Sequence, residues 1–77
     1  MAWIVQRFSI DGQSVSKDGD YLFYNGERWS WGLIPDEFTD EKEAERLASD
    51  FSDYFWCIGY GHRCKALPFN QPKPLAE

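Results

Sequence analysis

Two short apolar runs separated by Asn25-Gly26 constrain this chain more than any other feature: Tyr21–Tyr24 (YLFY) before the pair and residues 27–33 (ERWSWGL) after it. Asn and Gly take up positive φ at little cost, so the pair predicts a two-residue type I′ turn and hence a β-hairpin. Such a turn fixes a register in which Tyr24 faces Glu27, Phe23 faces Arg28, Leu22 faces Trp29 and Tyr21 faces Ser30. Side chains alternate across a strand, which puts Leu22, Tyr24, Trp29 and Trp31 on one face and Tyr21, Phe23, Arg28 and Ser30 on the other. The first set is the more apolar and is expected to face the core.

The rest of the chain arranges itself around this hairpin. Residues 2–10 (AWIVQRFSI) are rich in β-branched and aromatic side chains and read as a first strand. Residues 11–20, with two Asp-Gly pairs, form a polar connection. Beyond the hairpin, Pro35 marks a short link, and a helix is expected to begin at Thr39 or Asp40, with Asp40 and Glu43 as a capping box. Ala44, Leu47, Ala48, Phe51, Phe55 and Ile58 recur at helical spacing and make one apolar stripe. The helix should stop between Tyr54 and Ile58, with Gly59 as its capping glycine. Residues 62–69 read as a last strand, with Pro68 at its end or on an edge. The order β-β-β-α-β makes a single α+β domain over residues 1–69, an antiparallel sheet of about four strands with one amphipathic helix on one face. Residues 70–77 (NQPKPLAE) are expected to be a flexible Pro-containing tail.

With 77 residues there is room for one thin core, strengthened by six Phe, four Tyr and four Trp. Charge is concentrated in the helical segment. Asp36, Glu37, Asp40, Glu41, Glu43, Glu45, Asp50 and Asp53 stand against Lys42 and Arg46, a local −6 in a chain of formal charge −5. The remaining cations, Arg7, Lys17, Arg28, Arg63 and Lys65 among them, are scattered. That balance argues against direct binding of nucleic acid or an anionic membrane, which needs clustered Lys and Arg. It fits a basic partner surface and equally fits a solvated helix face. Two cysteines, no basic leader and no long apolar run read as a soluble cytoplasmic protein with reduced thiols.

Motifs for chemistry are few. Gly59-Tyr60-Gly61 lacks the third glycine of a dinucleotide loop, Cys64 standing in its place. Cys57, His62 and Cys64 fall one ligand short of a structural zinc site and contain no C-x-x-C pair. The two thiols would face each other if Tyr60-Gly61 were a hairpin turn; free thiols are the simpler expectation. A Cys/His nucleophile has nothing in the sequence to orient it. No enzyme activity, cofactor or metal is therefore expected.

The aromatics set a geometric problem. One helix covers one face of a small sheet, yet the first strand is apolar on both sides, Trp3 and Val5 against Ile4, Phe8 and Ile10. Tyr21 and Phe23 likewise lie opposite the expected core set. Some apolar surface is left for a partner.

Tyr21-Leu22, Gly26, Trp29, Phe38-Thr39, Glu43-Ala44-Glu45 and Leu47-Ala48 together resemble small uncharacterised phage and prophage proteins of β-β-β-α-β layout. Several such acidic proteins inhibit host defence complexes, anti-CRISPR proteins among them. The resemblance implies a non-enzymatic protein-binding module that inhibits or regulates a host complex in the host cytoplasm. Its carboxylates would mimic a phosphate row on a basic nucleic-acid-binding surface. Glu37, Glu41, Glu45 and Asp53 are the candidate electrostatic contacts, and Tyr21, Phe23 and Arg28 the candidate sheet-face contacts. The alternative is a structural or assembly protein that forms a homodimer through the open aromatic face.

Overall fold

The computed structural model describes residues 2–69; the expected tail at 70–77 lies outside them. Five elements follow in the order β1 (Ala2–Phe8), β2 (Tyr21–Tyr24), β3 (Trp29–Gly32), α1 (Glu41–Cys57) and β4 (Arg63–Phe69). The strands form one antiparallel sheet in the order β3-β2-β1-β4, with α1 across one face. This is the α+β domain expected from the pattern.

The hairpin forms, but one step away from the expected register. Tyr24 pairs with Trp29, Phe23 with Ser30, Leu22 with Trp31 and Tyr21 with Gly32. The tip is Gly26-Glu27, not Asn25-Gly26. Asn25 spends its side-chain oxygen on the amides of Glu27 and Arg28, at 2.9 and 3.0 Å, and pairs its own amide with the Arg28 carbonyl. Gly26 is then the residue at positive φ, at 101°, while Asn25 and Glu27 stay out of that region, so the type I′ expectation fails. The slip moves every pair by two in summed number and leaves the faces unchanged. Leu22 is fully buried, Trp29 and Trp31 pack against the core, and Tyr21 and Phe23 lie on the far side.

The core lies between α1 and the face carrying Trp3, Val5, Leu22, Trp31, Cys64 and Ala66. Helix residues Ala44, Ala48 and Phe55 are buried in it, with Leu47 and Phe51 alongside. Trp31 sits edge-on to Phe51, with ring centres 5.5 Å apart, and tilted against Phe55 at 5.9 Å. Asp40 caps the helix by accepting the Lys42 amide at 3.0 Å, which serves without the reciprocal Glu43 bond of a capping box. At the other end Tyr60 N–H reaches the Phe55 carbonyl and Gly59 N–H the Trp56 carbonyl, at 3.0 and 3.1 Å, with Gly59 at φ 85°. This is a Schellman cap, and the Tyr60 ring stacks on Phe55 as its apolar closure. Ile58, expected in the stripe, is instead the capping residue and remains exposed.

The two halves of the sheet are joined differently. β1 and β4 share an unbroken seven-pair ladder from Ala2↔Phe69 to Phe8↔Arg63. Between β1 and β2 the register pair is Gln6↔Tyr21, and the strands then diverge. The chain after β3 fills the gap: Asp36 N–H donates to the Leu22 carbonyl, its carboxylate takes the Tyr24 amide, and Phe38 exchanges two 2.7 Å bonds with Trp3. One of the eight carboxylates of the acidic segment is thus a structural strap.

A second link between the halves is an ion pair. Arg7 lies on the core face of β1, opposite Cys64. Its guanidinium is 3.0 Å from Asp20 and lies over Trp31, 4.8 Å from the ring centre. Asp20, buried, also accepts the Ser14 hydroxyl and the amides of Val15 and Ser16, which folds the 11–20 connection around one carboxylate.

Candidate functional site

The structure distributes the sequence-derived contact residues over three places. Glu37, Glu41, Glu45 and Asp53 are all exposed. Glu41 and Glu45 stand one turn apart on one flank of α1, whereas Asp53 lies on the outermost ridge with Lys42 and Arg46. The carboxylates are thus interleaved with the helix's two cations. Tyr21 and Phe23 lie half-buried on the sheet face away from α1, with Phe23 laid over Gly32. Arg28 has left the ladder for the hairpin tip, so Ser30, not Arg28, stands opposite Phe23.

The open sheet face is less bare than the alternation implies. Ile4 is buried there, Phe8 carries the Lys65 ammonium 5.9 Å above its ring, and none of the prominently exposed apolar side chains belongs to that face. Those side chains lie elsewhere: Tyr24, 48% exposed, ends β2, and the others fall at two further places. Ile10, Tyr54, Trp56, Ile58 and Tyr60 surround the C-terminal end of α1, with Trp56 66% and Tyr60 63% exposed. Leu33 and Ile34, 69% and 81% exposed, continue from the end of β3. The Schellman cap builds the first cluster: it turns the chain back at Gly59, so that Tyr54, Phe55, Tyr60 and His62 form a continuous series of ring contacts.

The thiols do not approach a catalytic or bridged arrangement. Cys57 is exposed in the last turn of α1, and Cys64 is buried on β4 beneath the helix; both are free. Because the helix runs through Cys57, residues 57–64 do not form the hairpin that would have paired them. Burial pushes the Cys64 thiol up to about 11, against a smaller opposing pull from Ser52 and Arg7, so it stays protonated and a poor nucleophile at neutral pH. His62 packs against Phe55 and Tyr60 at 5.1 and 5.4 Å, and its buried Nδ1 has no hydrogen-bond partner among the described residues. Among the described residues no three His, Cys, Asp or Glu gather as metal ligands, and no helix is long and apolar enough to cross a membrane.

The two sheet edges differ in ways the sequence did not announce. In an antiparallel pair, residues alternately bond their neighbour and turn their N–H and C=O away from it. The Asn25–Arg28 bond sets that phase, so Trp29 and Trp31 point their backbone groups outward from β3, where no bond to them is formed among the described residues. On β4 the outward positions are Cys64, Ala66 and Pro68. The Ser52 hydroxyl accepts the Cys64 amide at 2.8 Å and donates to its carbonyl at 3.3 Å, and Pro68 has no N–H. The signals that sequence reading passed over were Arg7 on the core side of an apolar strand, which demands a buried anion, and Ser52 on the sheet side of the helix.

No protein-family model, no curated protein and no solved structure matches this chain.

Proposed function

We propose that this chain is a non-enzymatic protein-binding module that engages its partner through the aromatic cluster at the C-terminal end of α1. The observation carrying this reading is the exposure of Tyr54, Trp56, Ile58 and Tyr60 at one rigid helix cap, Tyr54 and Trp56 on opposite flanks of the helix and the Tyr60 ring stacked on Phe55 between them. Folded domains rarely leave several large apolar side chains exposed around one helix end without use, and Trp and Tyr are among the residues that dominate binding energy when desolvated. The cap holds the backbone in place, so little ordering entropy opposes binding there.

The narrower form of the reading is an inhibitor of a host defence complex that mimics nucleic acid with its helix carboxylates. It draws on the sequence resemblance and on exposed Glu37, Glu41, Glu45 and Asp53; Lys42 and Arg46 beside Asp53 weaken the phosphate-row likeness, so the primary contact is assigned to the aromatic end. Affinity capture on immobilised full chain, quantified by mass spectrometry, separates the two. The Trp56→Ala/Tyr60→Ala variant is expected to lose the proteins retained by the parent chain, and Glu41→Lys/Glu45→Lys to keep them. The reverse pattern, with capture abolished by moderate salt, favours mimicry; capture unaffected by the aromatic variant defeats the reading.

A further inference from the structure

We infer that a groove at the Phe8–Arg63 end of the β1–β4 ladder binds a small amphiphilic monoanion, a carboxylate carried on an aromatic or short aliphatic body. The inference goes beyond the reading above, because it concerns another surface and a small ligand.

The ladder places the groove. Arg7 pairs with Cys64 on the core side, so Phe8 with Arg63, and Lys65 beyond them, turn their side chains to the opposite face. Ile10 and Gly12, just past β1, line the same groove, and Ser52 meets it at the β4 edge through its bonds to Cys64. The volume is about 450 Å³, within the roughly 300–1,000 Å³ of small-ligand sites. Its apolar walls are Phe8 and Ile10, and Ile10 is 70% exposed, so the body of a ligand has apolar surface to cover.

Charge names the occupant. In a chain of −5, the charged residues lining this groove are Arg63 and Lys65, and no carboxylate lines it among the described residues. Neither cation forms an ion pair among the described residues, and the Lys65 ammonium stands 5.9 Å from the ring centre of Phe8, one of the apolar walls. Two carboxylates lie close by without lining the groove. Asp11 accepts the Ser9 hydroxyl at its rim, and Asp53 shares a separate recess with Arg63 without pairing to it. A single negative charge can therefore meet both cations, whereas a polyanion would also meet Asp11. A protein segment fits less well, because β4 has little to offer an added strand: Ser52 has taken the Cys64 N–H, and Pro68 has none.

The test is an NMR titration of the full chain, read amide by amide. The probes are 2-naphthoate and octanoate, with 2-naphthylmethanol as the neutral counterpart, 2-naphthylmethylammonium as the cationic one, and inorganic phosphate as an anion without an apolar body. At least one of the two carboxylates should give saturable shifts at residues 8–12 and 63–65, with a Kd of about 1 mM or tighter. The neutral counterpart should bind about tenfold more weakly, and the cation and phosphate should not saturate. Arg63→Ala and Lys65→Ala, both at exposed positions, should each weaken carboxylate binding by about fivefold at unchanged urea midpoint. Asp11→Asn should tighten it, which damage to the fold would not do, and Trp56→Ala should leave it intact. If an alanine variant shifts the urea midpoint, the comparison of probes on the parent chain decides. The inference is overturned by equal affinity for the neutral counterpart, by tighter binding of the cation, by shifts centred on Trp56 and Tyr60, or by no saturation with either carboxylate up to about 10 mM. An acetylated peptide of alternating Glu and Leu that binds the same residues more tightly than both carboxylates overturns it in favour of a protein segment.

Discussion

The β1–β4 half of the sheet and the β2–β3 half are built on opposite principles. The first is a continuous seven-pair ladder, bonded at Cys64 of its edge by Ser52 and flanked by Arg63 and Lys65. The second joins the first through the Gln6↔Tyr21 pair, the Asp36 strap and the Arg7–Asp20 ion pair, and its outer edge is uncharged and, among the described residues, unbonded. The difference teaches that an edge is protected by specific side chains, and that a half held by keyed polar contacts is both easier to detach and more available for pairing.

The largest expected effect comes from removing a key. Asp20→Ala leaves the mostly covered Arg7 unpaired and unties Ser14, Val15 and Ser16, at a cost on the order of 3 kcal/mol. That is a large share of the ~5–10 kcal/mol holding a small domain. A urea titration should show the domain largely unfolded; a midpoint near the parent's would show that the halves are not joined here. Gly19→Ala follows closely. At φ 114° its Cβ would collide with the Gly32 carbonyl carbon, so the start of β2 would be forced away from the end of β3. A loss on the order of 3 kcal/mol is expected by the same titration.

Ser52→Ala strikes the other half and should cost less, about 1–2 kcal/mol, because it orphans one amide at an edge while the seven-pair ladder persists. If it proves as damaging as Asp20→Ala, the contrast between the halves collapses. Acid should act on the β2–β3 half. Burial pushes the Asp20 carboxyl up, but Ser14, Arg7 and the Val15 amide outweigh it and leave it below its ordinary 3.8. A depressed folded-state value means that this stabilisation is complete above 3.8 and lost as pH falls below it through the folded value. Between pH 5 and pH 3 the parent chain should lose more stability than Asp20→Asn, which has no carboxylate left to titrate. The smallest effect is chemical: iodoacetamide should modify Cys57 readily and Cys64 only on unfolding, giving one adduct by mass spectrometry under native conditions.

How much of this was legible in sequence varies with the range of the interaction. The helix, its Asp40 cap, its apolar stripe and the Gly59 stop are local and were readable, as were the two faces of the hairpin. The register was not, because Asn25 turned its side chain on the Glu27 and Arg28 amides in place of entering the turn. Asp36 looked like one more surface carboxylate, since nothing nearby in the chain reveals that β1 and β2 diverge. The open aromatic face was overestimated because alternation counts apolar residues without knowing that Phe23 covers Gly32 or that Ile4 is enclosed. Conversely, the exposed Trp56 and Tyr60 were hidden by their position beside the helix stop, where period reasoning loses its phase.

Amide hydrogen exchange of the dilute protein, read residue by residue by NMR, tests the contrast between the two edges most directly. Trp29 and Trp31 should exchange within about tenfold of unstructured rates, while Cys64, bonded by Ser52, is protected by orders of magnitude. Trp29 and Trp31 amides as slow as that of Cys64 would contradict an open β3 edge.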